Sequence, residues 1–179
     1  LGYQLVKTLK NISLDTLLAQ ASHYIDEQTG ALIPSIHPST TYGRDQKYEL
    51  LGDYIYARGH NPTYDQVEKV IAELEGGAEA LIFASGQAAI TALFETVEQG
   101  RHIVAPSIMY YGAQAWMCRL AERRGVELTL FDATNPNGLA NAVRHGLTDV
   151  VWIETLLNPT WDVIDIKKAS QIAHDVGAI

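Results

Sequence analysis

The sequence predicts an α/β protein with three layers, in which a mainly parallel sheet is covered by helices on both faces. From residue 63 onward, segments typical of strands alternate with segments typical of helices. The strand candidates, such as HIVAP at 102–106, are continuous apolar runs without polar alternation. Such runs are typical of parallel strands that are buried on both faces. Before residue 63 the pattern differs, and an extended N-terminal arm is expected there.

The first 62 residues are expected to form a short helix and this arm. Residues 11–21 are amphipathic at helical spacing, with Ser13 or Asp15 as the candidate cap. Residues 28–62 are rich in Gly, Pro, Thr and Tyr and show little periodicity. Long irregular segments inside a compact chain are usually functional or interfacial. We therefore place one domain at 1–62, contacting a partner subunit, and a second at 63–179.

The second domain begins with a helix. TYDQVEKVIAELEGG has Thr63 as its candidate cap and ends at Gly76 and Gly77, which favour a helix stop. Ala178 and Ile179 begin a further strand. Between the first helix of this domain and the strand that begins at Ala178, strands are predicted at 79–84, 102–106, 126–132 and 149–155. Helices are predicted at 86–97, 111–125, 136–146 and 165–177.

Composition excludes several classes of function. The chain has 179 residues and a formal net charge of −8 with no Lys/Arg-rich run, which argues against nucleic acid as a partner. No apolar stretch reaches the roughly 18 residues of a membrane span. The single cysteine, Cys118, cannot form an intramolecular disulfide and fits the cytoplasm. The scattered histidines match no zinc pattern, and neither common nucleotide-binding fingerprint occurs.

Parallel sheets bind ligands beyond the carboxyl ends of their strands, so the residues that follow each strand are the candidates for a site. In FASGQAAI, Gly86 allows close approach, and the N–H groups of Gly86, Gln87 and Ala88 are expected to be unpaired. A helix N-terminus of this kind favours a phosphate. The alternative is a plain tight turn between strand and helix.

Two later junctions carry side chains that suit a planar ligand. Tyr110 and Tyr111 precede Gly112, and a tyrosine there can stack on a ring or act as a general acid or base. Asn158, held by the following proline, can donate its amide to a ligand oxygen. The alternatives are ordinary surface or core tyrosines and a turn asparagine that bonds its own backbone. Glu154, at the end of an apolar strand, is expected to have a structural partner.

Tyr56 and Arg58 lie on the arm, just before the first helix of the second domain. Arginine makes bidentate, charge-assisted bonds to phosphate, and a nearby tyrosine adds a further donor. These two side chains could therefore bind the same phosphate as the helix that begins at Gly86. The arm could also reach a neighbouring subunit.

Four stretches together resemble the Cys/Met-metabolism family of pyridoxal-phosphate enzymes, which includes cystathionine synthases and lyases and their sulfhydrylase relatives. The motifs are YARGHNPT (56–63), SGQAA (85–89), YGAQ (111–114) and ETLLNP (154–159). The likeness runs from about residue 28 to the end. It implies the large domain of fold type I, the cofactor pyridoxal 5'-phosphate (PLP), and elimination or replacement at the β or γ carbon of a sulfur-related amino acid.

The resemblance also implies roles for individual residues. Tyr56 and Arg58 would bind the cofactor phosphate of the partner subunit, in a homo-oligomer that is a dimer of dimers. The backbone of Gly86 and Gln87 would bind that phosphate. Tyr111 would stack on the pyridine ring and act in catalysis, and Asn158 would contact the ring hydroxyl or the substrate.

Several positions depart from the family pattern. Gln87 stands where Met is usual, two leucines precede Asn158, and Ala113 stands where methionine-cleaving lyases carry Cys, which disfavours that activity. The family's Schiff-base lysine and its aspartate partner of the pyridine nitrogen have no match in this chain. The segment is therefore expected to be the front part of a longer enzyme and inactive alone. The alternative is a non-catalytic subunit or fragment of the same fold.

Overall fold

The computed structural model describes residues 13–179 of the 179-residue chain. The chain divides into two compact units, of which the first ends at Ile82 and the second is Phe83–Ile179. The composition change near residue 62 therefore falls inside the first unit, and the helix that follows it belongs with the preceding segment. The contact of residues 1–62 with a partner subunit stays a prediction.

Two helices shape the described part of the first unit, α1 (Leu14–Ala19) and α2 (Pro62–Glu75). Ser13 is the cap of α1, because its hydroxyl accepts from the N–H of Thr16, whereas Asp15 lies in the first turn. The cap of α2 is Asn61 and not Thr63: the Asn61 side chain accepts the Thr63 N–H at 2.8 Å. Proline at the first helical position favours this start. Residues 11 and 12 of the predicted first helix lie outside the described residues.

The segment between these helices is irregular, as the sequence predicts. Within it, Thr41 pairs with Tyr56 and Arg44 with Leu50 in isolated antiparallel bridges. The Tyr54 hydroxyl donates to Asp65 of α2 at 2.9 Å. Burial, followed by this bond to a carboxylate, raises the pKa of Tyr54 to about 12. The segment is thus tied to α2 by specific contacts although it contains no regular element.

The predicted strand at 79–84 is wrong. This stretch has no strand conformation, and Leu81, Ile82 and Phe83 are 74%, 41% and 40% exposed. The N–H of Ile82 donates to the side chain of Glu68 at 2.8 Å and not to a neighbouring strand. An apolar run becomes a strand only where another strand accepts its hydrogen bonds, and the described residues provide none here.

The second unit contains a parallel sheet of three strands, which confirms the predicted fold class. The order is β2-β1-β3, with β1 (His102–Pro106) in the middle, flanked by β2 (Glu127–Phe131) and β3 (Thr148–Val151). At the end of the chain, the N–H of Ile179 donates to Asp149 and its carbonyl accepts from Val151. These bonds match a further parallel pairing beside β3, as predicted for residues 178 and 179.

Helices cover both faces of this sheet and complete three layers. Ile103 and Ala105 face one core, which contains residues of α3 (Gly86–Glu95) and α4 (Tyr111–Arg124). Val104 faces the opposite core, which contains residues of α5 (Gly138–Ala142) and α6 (Ile166–Asp175). Successive strand residues point to opposite faces, so the continuous apolar run of β1 serves both cores.

A fully buried histidine lies at the start of β1. The Nδ1 atom of His102 lies 2.8 Å from the Thr148 hydroxyl, and its Nε2 atom lies 2.8 Å from the Thr129 hydroxyl. Burial, and then the positive charge of Arg144, lowers the pKa of His102, against a smaller opposing effect of Glu127. The folded protein therefore holds this imidazole neutral.

We expect the free energy of unfolding to fall as the pH drops below about 6.5, the pKa of histidine in an unfolded chain. The unfolded state then binds a proton that the folded state, with its lowered pKa, does not bind until lower pH. The loss is at most about 1.4 kcal/mol per pH unit and stops growing below the folded-state pKa. Urea titrations at about pH 7.5 and about pH 5.5 measure it. His102→Gln, which cannot titrate, should show less pH dependence; an unchanged dependence would contradict this assignment.

Candidate functional site

The N-terminus of α3 presents two free backbone donors. Ser85 is its cap and accepts the N–H of Ala88 through its hydroxyl at 3.1 Å. The expectation that the Ala88 N–H is unpaired is therefore wrong, because a serine before the helix captures it. The N–H groups of Gly86 and Gln87 have no acceptor in the part of the chain that the structure describes. A Cβ added at Gly86 would meet no atom within 4 Å, so this end of the helix is open to a ligand.

The two tyrosines at the N-terminus of α4 differ in how exposed their side chains are. Tyr111 is the first helical residue and is 79% exposed, whereas Tyr110 is 46% exposed. The ring of Tyr110 folds back over the helix: a Cβ built on Gly112 would lie 2.7 Å from its Cε1 atom. Tyr111 is thus the tyrosine of the pair whose ring is free to cover a ligand.

The side chain of Gln87 connects the first turns of α3 and α4. Its Nε2 atom lies 3.3 Å from the Thr91 hydroxyl and 3.5 Å from the carbonyl oxygen of Gly112. A Cβ added at position 112 would collide with Oε1 of Gln87 and with the Tyr110 ring, so a larger residue there would displace these side chains. Oε1 itself is buried and has no partner among the described residues. The two free donors at α3 and the exposed ring at α4 are therefore neighbours in one unit.

Glu154, which follows β3, contacts the start of α4. Its Oε2 atom accepts the backbone N–H of Tyr110 at 2.8 Å, and its Oε1 atom accepts the indole N–H of Trp152 at 3.0 Å. The expected structural partner of Glu154 is therefore the start of α4 together with Trp152. Sequence reasoning did not identify this contact, because its two sides lie 44 residues apart.

Asn158 lies in a turn beyond Glu154. The N–H of Leu157 donates to Asp162 at 3.0 Å, and the N–H of Trp161 donates to Leu157 at 2.7 Å. The Asn158 side chain is exposed and makes no hydrogen bond within residues 13–179, so it does not bond its own backbone. Its amide is available to a ligand, but no hydrogen bond links it to Gln87 or Tyr111.

Tyr56 and Arg58 lie in the first unit and form a pair of their own. The guanidinium carbon of Arg58 lies 5.1 Å from the centroid of the Tyr56 ring, within the range of a cation–π contact. The Tyr56 carbonyl accepts from the N–H groups of Gly59 and His60 at 3.1 and 3.2 Å, which fixes the local backbone. Across residues 13–179, no carboxylate forms an ion pair with Arg58. Its charge is therefore available to an anion.

These features fit a phosphate-bearing aromatic cofactor. In the second unit, free N–H groups at a helix N-terminus suit a phosphate and an exposed tyrosine suits a ring; in the first unit, Arg58 suits an anion. Residues 13–179 contain no group of three or more potential metal ligands. Nor does any helix among them have the length and apolarity needed to cross a bilayer.

Comparison with known proteins gives consistent results. The family described as Cys/Met metabolism PLP-dependent enzyme matches residues 15–179. The cystathionine beta-lyase MetC of Bacillus subtilis is 35% identical over 170 residues, which cover 94% of this chain and 43% of the relative. This chain therefore spans less than half the length of that relative.

Solved structures agree. A structure described as cystathione gamma lyase (CalE6) from Micromonospora echinospora superposes with a TM-score of 0.82 at 37% identity, covering 94% of this chain and 44% of that one. A second structure, described as apo CalE6, a methionine gamma lyase from the same organism, gives 0.79 at 36% identity, covering 93% and 44%. With 36–37% identity, this chain is similar to these two structures in sequence as well as in fold.

Proposed function

Since the chain belongs to the Cys/Met metabolism PLP-dependent enzymes, we propose that it carries the cofactor-binding part of a lyase that breaks a carbon–sulfur bond in an amino acid of the cystathionine type. The observation that carries the proposal is the contact between Gln87 and Gly112. This contact brings the free N–H groups at the start of α3 close to the exposed Tyr111, which supports assigning the cofactor phosphate and ring to one site.

The proposed roles are those that the family resemblance implies, and the positions of Gly86, Gln87 and Tyr111 support them. The N–H groups of Gly86 and Gln87 hold the cofactor phosphate, and Arg58 and Tyr56 of a partner subunit add charge-assisted and neutral hydrogen bonds. The ring of Tyr111 covers one face of the pyridine, and the amide of Asn158 contacts the ring hydroxyl or the substrate. When bound, PLP supplies an electron sink for the bond that breaks. Tyr111 moves a proton at its phenolic oxygen.

We also propose that the working protein is a homo-oligomer, a dimer of dimers, in a reducing compartment such as the cytoplasm. The first part rests on two arguments: Arg58, which has no carboxylate partner among residues 13–179, is assigned to the phosphate site of a second copy, and the pairing of two such dimers is what the family resemblance implies. The second part rests on Cys118, a half-buried thiol that is the only cysteine of the chain.

The substrate is proposed to be cystathionine, with β- or γ-elimination left to experiment. Ala113 stands at the position that carries Cys in methionine-cleaving lyases, so that position offers no thiol here. This argues for cystathionine over methionine. The likeness to a structure described as a methionine gamma lyase makes methionine the alternative to test.

The test is to assay the full-length protein, loaded with PLP, on L-cystathionine and on L-methionine. β-Elimination of cystathionine releases homocysteine, pyruvate and ammonia, whereas γ-elimination releases cysteine, 2-oxobutyrate and ammonia. Methionine would yield methanethiol, 2-oxobutyrate and ammonia. We expect keto acid from cystathionine at a higher kcat/KM than from methionine. No keto acid from either substrate, with PLP bound, would overturn the lyase assignment and favour a non-catalytic subunit.

A further inference from the structure

The start of α4 is capped by a residue from a distant part of the chain. Tyr110, the residue before the helix, has no side-chain cap bond of its own. Its N–H instead donates to Oε2 of Glu154 at 2.8 Å. A carboxylate near a helix N-terminus is favoured by the free N–H groups and by the helix dipole. The segment that follows β3 thus fixes the first turn of the helix that presents Tyr111.

The second carboxylate oxygen of Glu154 also accepts a hydrogen bond. Its Oε1 atom accepts the indole N–H of Trp152 at 3.0 Å, and the Trp152 ring packs edge-on against buried Phe94 with 5.4 Å between the ring centroids. Both carboxylate oxygens are therefore engaged by donors on fixed elements. A half-buried carboxylate with two such bonds cannot rotate without breaking one of them.

The residue that follows Tyr111 is constrained from the opposite side. Gly112 lies against the Gln87 side chain, and its carbonyl oxygen is 3.5 Å from Nε2 of Gln87. The backbone is therefore held at Tyr110 and at Gly112, while the side chain of Tyr111 between them stays exposed. An exposed ring has few contacts of its own to orient it, so its orientation depends on these backbone neighbours.

We propose that Glu154 is a positioning residue, which orients Tyr111 for proton transfer by holding the Tyr110 N–H and using Trp152 as its own support. The inference rests on the proposed function, because it assigns Glu154 a role through the tyrosine of that site. Glu154 does not touch the reacting atoms; it fixes the backbone from which Tyr111 projects. A small rotation of this turn would move the phenol away from its proton, and a misplacement of about 1 Å can cost about 10²-fold in rate.

The central test is a double-mutant cycle of Glu154→Gln and Tyr111→Phe in the full-length enzyme. Glutamine keeps the size of the side chain, but one of its two polar atoms is a donor, so it cannot accept from both Tyr110 and Trp152. We expect Glu154→Gln to lower kcat by about 10- to 100-fold with a small change in KM. Combined with Tyr111→Phe, it should add little further loss, because the group that it positions is already gone.

Tryptophan fluorescence supplies a readout that does not depend on turnover. Glu154→Gln should shift the emission of Trp152, identified by subtraction of Trp152→Phe, in the protein without cofactor. Trp152→Phe should itself cause a milder loss of kcat than Glu154→Gln, because it leaves the bond to Tyr110 in place. Glu95→Gln is the matched control: it removes an exposed glutamate that pairs with Arg124 in the last turn of α4 and should leave kcat unchanged.

The outcomes separate this inference from the proposed function. If Tyr111→Phe has no effect on kcat, the role of Tyr111 is wrong and the positioning role falls with it. If Tyr111→Phe is slow but the losses of the two variants multiply, Glu154 acts by another route and the positioning role alone is overturned. If Glu154→Gln does not fold, Glu154→Asp, which keeps the charge on a shorter side chain, enters the same cycle. Non-multiplying losses support the proposal in either form.

Discussion

Replacing Tyr111 with phenylalanine should lower kcat of the full-length enzyme by about 10²–10⁴-fold, the range expected for a positioned acid or base. The phenylalanine ring can still stack on a pyridine, so cofactor content, measured by absorbance after gel filtration, should change little. Fold stability should also stay close to wild type, because the ring of Tyr111 is 79% exposed. A loss confined to kcat therefore identifies the hydroxyl, and not the ring, as the group in the chemical step.

Tyr110 is the matched control for this experiment. It is the adjacent tyrosine, but its ring packs over Gly112 and its backbone N–H is bonded to Glu154. Tyr110→Phe removes only a hydroxyl from a ring that is committed to packing, and we expect at most a several-fold change in kcat, far below the 10²-fold limit for a positioned acid or base. If the two variants lose the same activity, or Tyr110→Phe loses more, the motif YGAQ is assigned one residue too late.

The local pattern of the sequence is sufficient to predict α2 and most elements of the second unit. The run HIVAP gives β1 with the bounds that the structure has, because a short, continuous apolar run close after Gly100 is typical of a buried strand. Gly76 and Gly125 end α2 and α4 in the left-handed conformation, with φ of +65° at each. A residue without a side chain takes this conformation at low cost.

Features that depend on distant partners could not be predicted in this way. The apolar stretch at 79–84 resembles a strand locally, but its N–H at Ile82 bonds a glutamate of α2. The same limit applies to the site. Gly86, Gln87 and Tyr111 follow from their place at helix starts, whereas the bond from Tyr110 to Glu154 joins the start of α4 to the segment that follows β3. No periodicity in either segment specifies that bond.

Replacing Arg58 with alanine should weaken cofactor binding by about 10- to 150-fold, since a hydrogen bond to a charged group contributes about 1.5–3 kcal/mol. The variant should fold normally, because the Arg58 side chain is exposed and its contact within the first unit is the Tyr56 ring. Equilibrium dialysis with PLP measures the change. Arg58→Lys should recover only part of the affinity, because an ammonium cannot make bidentate bonds.

Arg44→Ala is the control for general loss of positive charge. Arg44 is exposed in the same segment and donates to the Tyr48 carbonyl at 2.7 Å, and it has no proposed role at the phosphate. Its replacement should leave PLP affinity unchanged. Equal losses for Arg44→Ala and Arg58→Ala would show a non-specific charge effect, and unchanged affinity in Arg58→Ala would remove Arg58 from the phosphate site.

Whether Arg58 acts in its own subunit or in a partner can be decided by mixing the two impaired variants at a PLP concentration that leaves the Arg58→Ala sites mostly empty. If the partner supplies Arg58, a hybrid of an Arg58→Ala subunit and a Tyr111→Phe subunit contains one site with both residues intact and one with both replaced. Random reassortment makes about half of all dimers hybrid, so activity should return to about a quarter of wild type. A protein in which every subunit carries both replacements has no intact site, so it should show no such recovery and serves as the control. Should both residues of a site come from the same chain, every hybrid site would lack one of them, and the mixture would stay as slow as its components.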